Sequence, residues 1–291
     1  MSSSDNPQFE SPTPPGQILP PSALDSEIPV AIAAPALAPV PENPLAEDPA
    51  WSGWDVLALA VLTIVAVAVL QLAIAFTAQR LWYPHENLIE VFQRPLLELV
   101  SQFLLYIPIA AFMLLLIKAK DHGPFWRAIR WNWPSSAWKW LALGVVLLMG
   151  LVALQSILPM PKDTPFEHLF DNQLDAYLLS ILAVSIGPLM EELFFRGFMY
   201  PVLARRMGAV WGVLLTALPF GLLHLQQYGW AWGAGLVIFL VGVVCGVVRA
   251  VTKSVASSFL VHVGYNGMQM AIAIVATRGF THIPKSLFIL R

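Results

Sequence analysis

The sequence predicts an all-α integral membrane protein: a polytopic bundle of about seven (seven to eight) transmembrane helices behind a disordered N-terminal tail. Hydrophobic residues make up 57% of the 291 positions and charged residues only 12%, whereas soluble domains carry about 25% charged residues. The mean hydropathy is +0.68. Apolar stretches of about 20 residues, the length of a transmembrane helix, recur along the chain after residue 55.

Seven such stretches define the predicted spans. Tryptophan side chains cluster near their ends, as expected for anchors at the membrane interface. The spans cover residues 56–77, 97–117, 138–158, 176–198, 209–225, 230–248 and 255–277. Residues 51–160 therefore form a first group of membrane helices, and residues 161–291 form a second group.

The first fifty residues have a different composition, rich in proline, serine and alanine, with scattered acids and no base. Their one apolar segment, 30–40, contains Pro35 and Pro39, which argue against a helix. No basic segment followed by an apolar core stands near the start, so no cleaved signal peptide is expected. Residues 1–50 are predicted to be a disordered tail.

The distribution of basic residues predicts the orientation, because cytoplasmic loops of membrane proteins are rich in Lys and Arg. The connection between the second and third spans, the Arg205-Arg206 turn and the Arg249/Lys253 turn are basic and fall on one side. The N-terminus is then cytoplasmic, and the acidic connection before residue 176 lies outside. The C-terminal tail also falls outside, in mild conflict with its basic residues. The predicted location is the bacterial cytoplasmic (inner) membrane.

Three polar clusters interrupt the second group of apolar spans. They read Glu191-Glu192-x-x-x-Arg196, Phe220-x-x-x-His224 and His262-x-x-x-Asn266. Ionisable groups are costly in hydrocarbon and usually face one another or a water-filled cavity, where they mark a function. At 1.5 Å per helical residue, all three clusters lie far enough from the basic turns to meet inside the bilayer. The sequence therefore predicts one active site within the membrane.

The spacing within each cluster suggests individual roles. Glu192 and Arg196 share a helix face and can form an ion pair that orients the site. Glu191 lies about 100° around the helix and is the candidate general base, which accepts a proton from water. His262 and Asn266 share a face, so they could hold a water, a metal ion or an oxyanion. Hydrogen bonds that merely join helices would also account for the histidines.

A metal ion is the tentative cofactor. Glu191, His224 and His262 together offer one oxygen and two nitrogens, a ligand set suited to catalytic Zn²⁺ with an open position for water. The ligands do not follow the H-E-x-x-H pattern. A metal-free mechanism, in which Glu191 activates water and the histidines and Asn266 position it, is the alternative, and the metal is slightly favoured. The single cysteine, Cys245, excludes a multi-cysteine metal site and an internal disulfide.

The ordered trio of motifs resembles the signature of the type II CAAX prenyl endopeptidases, a family of intramembrane metalloproteases (the CPBP family) that includes bacteriocin-processing and immunity-related proteins. The resemblance covers residues 176–277. It implies an α-helical bundle, a cavity that opens towards the cytoplasm and the bilayer, and hydrolysis near a membrane-associated C-terminus. It also implies that Glu191 and the two histidines form the catalytic core, with Asn266 beside them.

The predicted function is that of an intramembrane endopeptidase acting on a prenylated CAAX-like or bacteriocin-like substrate. The expected partners are membrane lipid and a membrane-associated protein or peptide, and the net charge of −2 gives no indication of nucleic-acid binding. The alternative is a non-catalytic scaffold or immunity protein that uses the same cavity for binding. An ion-coupled carrier is a third class. Substrate identity and oligomeric state are not defined by the sequence.

Overall fold

The computed structural model describes residues 47–120, 123–161, 164–170 and 172–282. In these ranges all regular structure is helical and no strand occurs. Seven helices are long and apolar enough to span a membrane, which confirms the predicted fold class. In chain order they are α1 (Gly53–Leu81), α2 (Pro95–Ala119), α3 (Ala137–Gln155), α4 (Gln173–Met207), α5 (Ala209–Tyr228), α6 (Trp232–Thr252) and α7 (Val255–Ala276). Most of the tail predicted for 1–50 lies outside the described residues.

Local sequence signals set where these helices begin. Ser52 caps α1 in a capping box with Asp55, and the Ser254 side chain accepts a hydrogen bond from the backbone at the start of α7. Pro95 opens α2 at a position where no backbone N–H is needed. Three short helices lie in the connections, at Leu88–Phe92, Phe125–Ala128 and Pro165–His168.

Close contact between α3 and α7 fixes the position of the helix that carries His262. A Cβ atom added at Gly144 would lie 2.1 Å from the carbonyl oxygen of Val261, and one added at Gly264 would lie 2.2 Å from that of Leu141. Only glycine permits backbones to approach this closely, as is common where membrane helices pack. Helix α6 packs against the same two helices, because its buried Val241 and Cys245 belong to one apolar cluster with residues of α3 and α7.

Helix α4 is not one continuous α-helix, although the sequence predicted a single span ending at residue 198. An α-helical part, Gln173–Val184, ends at Ser185, and a second, Ile186–Glu192, follows. Pro188 explains this break, because it has no N–H for the carbonyl of Val184 and its ring crowds that turn. A π-helical segment, Leu193–Met199, comes next, and an α-helical part, Tyr200–Met207, completes the element nine residues beyond the predicted end.

Because consecutive helices run in opposite directions, their connections lie alternately at the two opposite ends of the bundle. We call one end the cationic face: it comprises the start of α1, the α2–α3 connection, the α4–α5 turn and the α6–α7 turn. Its basic side chains are Lys118, Lys120, Arg127, Arg130, Lys139, Arg205, Arg206 and Lys253. The opposite face comprises the α1–α2, α3–α4 and α5–α6 connections and the end of α7.

The segment preceding α1 packs into the cationic face. The Glu47 side chain is only 2% exposed and forms ion pairs with Arg249 (2.9 Å), Arg130 (3.1 Å) and Lys253 (3.2 Å). Trp51 donates from Nε1 to the carbonyl oxygen of Phe198 at 2.8 Å, in the π-helical segment of α4. Residues 47–50, which the sequence analysis assigned to the tail, are therefore part of the folded bundle, because the buried Glu47 carboxylate binds them to the α2–α3 connection and to the end of α6 with the turn that follows it.

Candidate active site

Glu191 lies between the two predicted histidines. One of its carboxylate oxygens is 3.7 Å from Nε2 of His224, and the other is 3.6 Å from Nε2 of His262. These three side chains come from α4, α5 and α7, so the fold brings the three separate motifs together. The Glu191 side chain is 25% exposed, which leaves its carboxylate accessible to a small molecule.

Each histidine is held through its other ring nitrogen. Nδ1 of His224 lies 2.7 Å from the carbonyl oxygen of Phe220, one turn earlier on α5. Nδ1 of His262 lies 3.0 Å from Oε1 of Glu192. Because a carbonyl and a carboxylate only accept hydrogen bonds, both Nδ1 atoms are assigned the proton. Both Nε2 atoms then direct a free lone pair towards Glu191.

Glu192 is the centre of a fully buried polar network. Its side chain is 0% exposed and that of Arg196 is 1% exposed. Arg196 donates from Nη1 to Oε1 of Glu192 and from Nη2 to the carbonyl oxygen of Gly242, both at 2.8 Å. The Ser258 hydroxyl donates to Oε2 of Glu192 at 2.5 Å. The structure thus contains the predicted Glu192–Arg196 pair, and this pair orients His262.

Phe220 connects the three motifs through packing contacts and its backbone carbonyl group. Its ring centroid lies 4.7 Å from Cζ of Arg196 and 5.8 Å from the His262 ring. A guanidinium over an aromatic face is attracted by the ring quadrupole. The backbone of Phe220 holds His224, as described above, while its side chain covers Arg196. These two contacts explain why a phenylalanine one turn before His224 belongs to the site.

Asn266 lies one turn beyond His262 and contacts α4. Its Nδ2 donates to the carbonyl oxygen of Ala183 at 2.8 Å. Ala183 belongs to the last turn of the first part of α4, where carbonyl groups lack helical partners. Since Nδ2 carries two hydrogens, one N–H remains for another acceptor. Asn266 therefore stabilises the broken helix and also keeps a donor at the site.

A cavity of ≈ 130 Å³ contains the exposed edge of the site. The predicted residues Glu191, His224, His262 and Asn266 line it, together with Gln269, which continues the His262–Asn266 face. Glu192 and Arg196 do not line it; they lie behind the histidines. Further polar lining comes from Glu98 and Gln102 of α2, Gln227 and Tyr228 of α5, and Tyr265 of α7.

The residues around Glu191 offer the ligand types that suit a metal ion, one carboxylate and two imidazoles. Zinc–ligand bonds of about 2.0–2.1 Å place the atoms of a tetrahedral site roughly 3.3–3.4 Å apart, close to the 3.6 and 3.7 Å separations found here. The contact between Nδ1 of His262 and Glu192 has the form of the carboxylate–histidine pairs that orient metal ligands. The 3.6 and 3.7 Å separations join different oxygens of Glu191 to the two histidines, and the described atoms of Glu191, His224 and His262 do not bring one ligand atom from each residue within 4.8 Å of the other two. Holding Zn²⁺ with all three residues, as the sequence analysis predicted, would therefore require their side chains to shift.

Another group, Glu192, Cys245 and His262, does bring three ligand-type atoms within 4.8 Å of one another. The carboxylate oxygens of Glu192 already accept bonds from Arg196 and Ser258. The Sγ atom of Cys245 is 4.0 Å from the carbonyl oxygen of Ser258, and its side chain is fully buried. This group is part of the packing behind the site.

Sequence reasoning missed several residues of the site. Ser258 lies one turn before His262 on the same face of α7, and that spacing is the only signal for it. Glu98 and Gln102 belong to α2, outside the segment that carries the motifs, so only the fold relates them to the cavity. Two further histidines, His85 and His282, are exposed and lie outside the site. His122 and the side chain of His168 fall outside the described residues.

Together, the fold and the site define a polytopic membrane protein with a carboxylate–histidine centre enclosed between its helices. Residues 173–268 match the family model of the Type II CAAX prenyl endopeptidase Rce1-like proteins. The match covers about a third of the chain, includes all three motifs, and confirms the family resemblance that they carry. At the family level it supports a CAAX-type intramembrane protease. No curated protein and no solved structure matches the chain significantly.

Proposed function

We propose that this protein is an intramembrane endopeptidase that hydrolyses a peptide bond near the end of a membrane-associated protein or peptide, either prenylated and CAAX-like or bacteriocin-like. The observation that carries the proposal is the position of the Glu191 carboxylate between two Nε2 atoms inside a cavity. The membrane would hold the lipid-side part of the substrate. The cavity would receive the segment to be cleaved.

In this mechanism Glu191 is the general base. A water held among Glu191, His224 and His262 donates one hydrogen bond to the carboxylate and one to an Nε2 lone pair. Glu191 takes the proton as the water oxygen bonds to the scissile carbonyl carbon. The remaining N–H of Asn266 would donate to the oxyanion. Cleavage of the C–N bond then returns the proton from Glu191 to the leaving amine.

The other site residues act through positioning. Glu192 holds His262, and Arg196 neutralises Glu192, so the imidazole keeps its orientation and its Nε2 lone pair. When bound, Zn²⁺ held by Glu191, His224 and His262 would supply Lewis-acid activation of the water. These residues would serve either mechanism, and the zinc content of the purified protein distinguishes the two.

Purified protein with the changes Glu191→Gln and His262→Ala tests the proposal. We expect the wild type to cleave at least one member of a panel of lipidated and unmodified C-terminal peptides. Loss of the general base should lower the rate by about 10²–10⁴-fold. The matched control is Glu90→Gln, which changes the same residue type in the α1–α2 connection and keeps the capping-box interaction. It should cleave like the wild type.

The same preparations separate the two mechanisms. Near-stoichiometric zinc that is lost in His262→Ala, together with lost cleavage, would support a metallopeptidase. Cleavage without bound metal that is still abolished by Glu191→Gln would support the glutamate mechanism. A phenotype in cells that persists unchanged with Glu191→Gln would instead support the non-catalytic scaffold or immunity protein, because glutamine preserves the shape of the cavity.

A further inference from the structure

One face of α2 carries a stripe of polar side chains within an otherwise apolar span. Glu98, Gln102 and Tyr106 follow one another at intervals of four residues, so they lie on the same side of the helix. Gln102 donates from Nε2 to the Tyr106 hydroxyl at 3.0 Å. The stripe lies outside residues 173–268, the segment that matches the family model, so the three motifs do not account for it.

The polar stripe of α2 lies against the active-site cavity and the broken region of α4. Glu98 and Gln102 line the cavity together with Gly187 and Glu191. The Tyr106 hydroxyl lies 3.8 Å from the position of a Cβ atom added at Gly187, one turn before Glu191. Polar groups in a membrane helix usually face a water-filled cavity and mark a function. The stripe therefore forms part of the wall of the site.

Glu98 is exposed, and its carboxylate has no hydrogen-bond or ion-pair partner among the described residues. The nearest base along the chain, Arg94, donates from Nε to Glu86 at 3.0 Å instead. None of the described residues that line the cavity is a lysine or an arginine. The helix dipole favours a negative charge in the first turn of α2, but an ionised carboxylate away from bulk water still needs a counter-charge. A bound molecule with a positive charge would supply it.

Two aromatic rings in the same lining are also suited to a cation. The rings of Phe166 and Tyr228 stack with their centroids 5.7 Å apart, and both residues line the cavity. The face of an aromatic ring attracts an ammonium or a guanidinium group. A carboxylate and aromatic rings, in a lining whose described residues include no lysine or arginine, favour a cationic ligand over an anionic one.

We propose that Glu98 determines specificity by binding a lysine or arginine side chain of the substrate, while Glu191 acts at the bond to be cleaved. The substrate class is then a membrane-associated peptide with a basic residue near the cleaved bond. Both prenylated and bacteriocin-like peptides can carry such a residue. Calling the bound molecule a substrate rests on the proposed function, whereas the preference for a positive charge rests on the residues of the cavity.

The spacing along the helices indicates where that basic residue stands in the peptide. Helices α2 and α4 run in the same direction, and Tyr106 is level with Gly187. Glu98 lies two turns before Tyr106 and Glu191 one turn after Gly187, so the two carboxylates are about 18 Å apart along the bundle. An extended peptide covers this distance with about five residues. We therefore expect the basic residue roughly three to six residues from the cleaved bond.

Peptide binding to the full-length, detergent-purified protein tests the proposal. The probes are fluorescent farnesylated peptides in which lysine, its uncharged counterpart norleucine, or glutamate stands in turn at each of the residues before the farnesylated cysteine. All measurements use Glu191→Gln, so that binding is followed without cleavage. We expect lysine to improve the affinity about tenfold over norleucine at one or two positions, the scale of a hydrogen bond to a charged group.

Changes at Glu98 in the same Glu191→Gln protein identify the group that recognises the charge. Glu98→Gln should bind the lysine and norleucine peptides equally, with the norleucine affinity unchanged, which also shows that the variant is folded. Glu98→Lys should reverse the preference, so that the glutamate peptide binds more tightly than the lysine peptide. Glu90→Gln, in the α1–α2 connection, is the matched control and should keep the preference for lysine.

Equal affinities for the lysine and norleucine peptides before any change at Glu98, or no measurable binding of either, would overturn the proposal. So would a preference for lysine that survives Glu98→Gln, because the charge would then be recognised elsewhere. Binding is measured without cleavage. A protein that shows the expected preference while its wild-type form cleaves no peptide would therefore refute only the proposed hydrolysis.

Discussion

Two adjacent glutamates have different environments, and the difference assigns their roles. Glu191 is partly exposed in the cavity, and the nearest imidazole nitrogens are 3.6 and 3.7 Å away. Glu192 is fully buried and accepts bonds from Arg196, Ser258 and His262. A buried charge is tolerated only when it is paired and hydrogen-bonded. Glu192 therefore has a mainly structural role, whereas the Glu191 carboxylate is available to act as the general base.

The change Glu192→Gln should destabilise the protein far more than Glu191→Gln. Removing the charge at 192 leaves the Arg196 guanidinium buried without its counter-ion, which typically costs about 3–5 kcal/mol. Glu191→Gln removes no hydrogen bond of normal length, so the free energy of unfolding should change by only about 0.5 kcal/mol. Thermal unfolding of the two detergent-purified variants measures the difference. Equal losses of stability would contradict the division of roles.

At the scale of elements, the site depends on how closely α3 and α7 approach. Helix α7 carries Ser258, His262 and Asn266, and its backbone touches α3 at Gly144 and Gly264. Helix α4 contributes a break at Ser185 and a π-helical segment immediately after Glu192. π-helical turns are rare and frequently occur at functional sites. Here the irregular turn follows directly on the two glutamates.

The change Gly144→Ala should separate α3 from α7. Its Cβ would lie 2.1 Å from the carbonyl oxygen of Val261 and 2.6 Å from the amide nitrogen of Tyr265, so the backbones must move apart. Overpacking of this kind costs about 1–3 kcal/mol or more, and the displacement of His262 should also lower activity. The matched control is Gly150→Ala on the same helix, where nothing lies within 4 Å. There alanine should be neutral or slightly stabilising, because it is the better helix former. Similar melting temperatures for the two variants would count against the close approach.

At the scale of the whole molecule, the segment before α1 joins the two groups of helices. Glu47 pairs with Arg130 from the first group and with Arg249 and Lys253 from the second. Trp51 stacks on Phe198 with ring centroids 4.6 Å apart, beside the helix that carries the glutamates. Residues 47–51 thus join the two groups of helices at the cationic face.

The change Glu47→Ala should therefore destabilise the bundle by about 3–5 kcal/mol, since Arg249 would remain buried without a counter-ion. Asp48→Ala is the matched control. The Asp48 side chain is 89% exposed, and among the described residues it pairs with Arg205 alone. Such surface pairs contribute about 0–1 kcal/mol. Thermal unfolding of both variants in detergent is the measurement. A loss no larger than that of the control would show that the segment is not part of the folded core.

Much of this arrangement could be predicted from the sequence, because the hydropathy pattern locates the membrane spans and the three motifs contain the predicted site residues. The predicted ends of α5 and α7 differ from the observed ends by at most three residues, and the Glu192–Arg196 pair follows from helical spacing. The irregular shape of α4 could not be predicted, since hydropathy does not register a π-helical turn. The roles of Glu98, Ser258 and Glu47 could not be predicted either, because their neighbours in the fold are distant in sequence and meet them only through tertiary packing.

The central claim, hydrolysis by water activated at Glu191, is tested most directly with isotopically labelled water. Wild-type protein in proteoliposomes would be incubated with a cleavable peptide in H₂¹⁸O beside Glu191→Gln and the Glu90→Gln control. Mass spectrometry would then follow the new C-terminal carboxylate. The account predicts that one ¹⁸O atom enters that carboxylate in the wild type and the control, while Glu191→Gln yields almost no product. Labelled product at the wild-type rate from Glu191→Gln would contradict it.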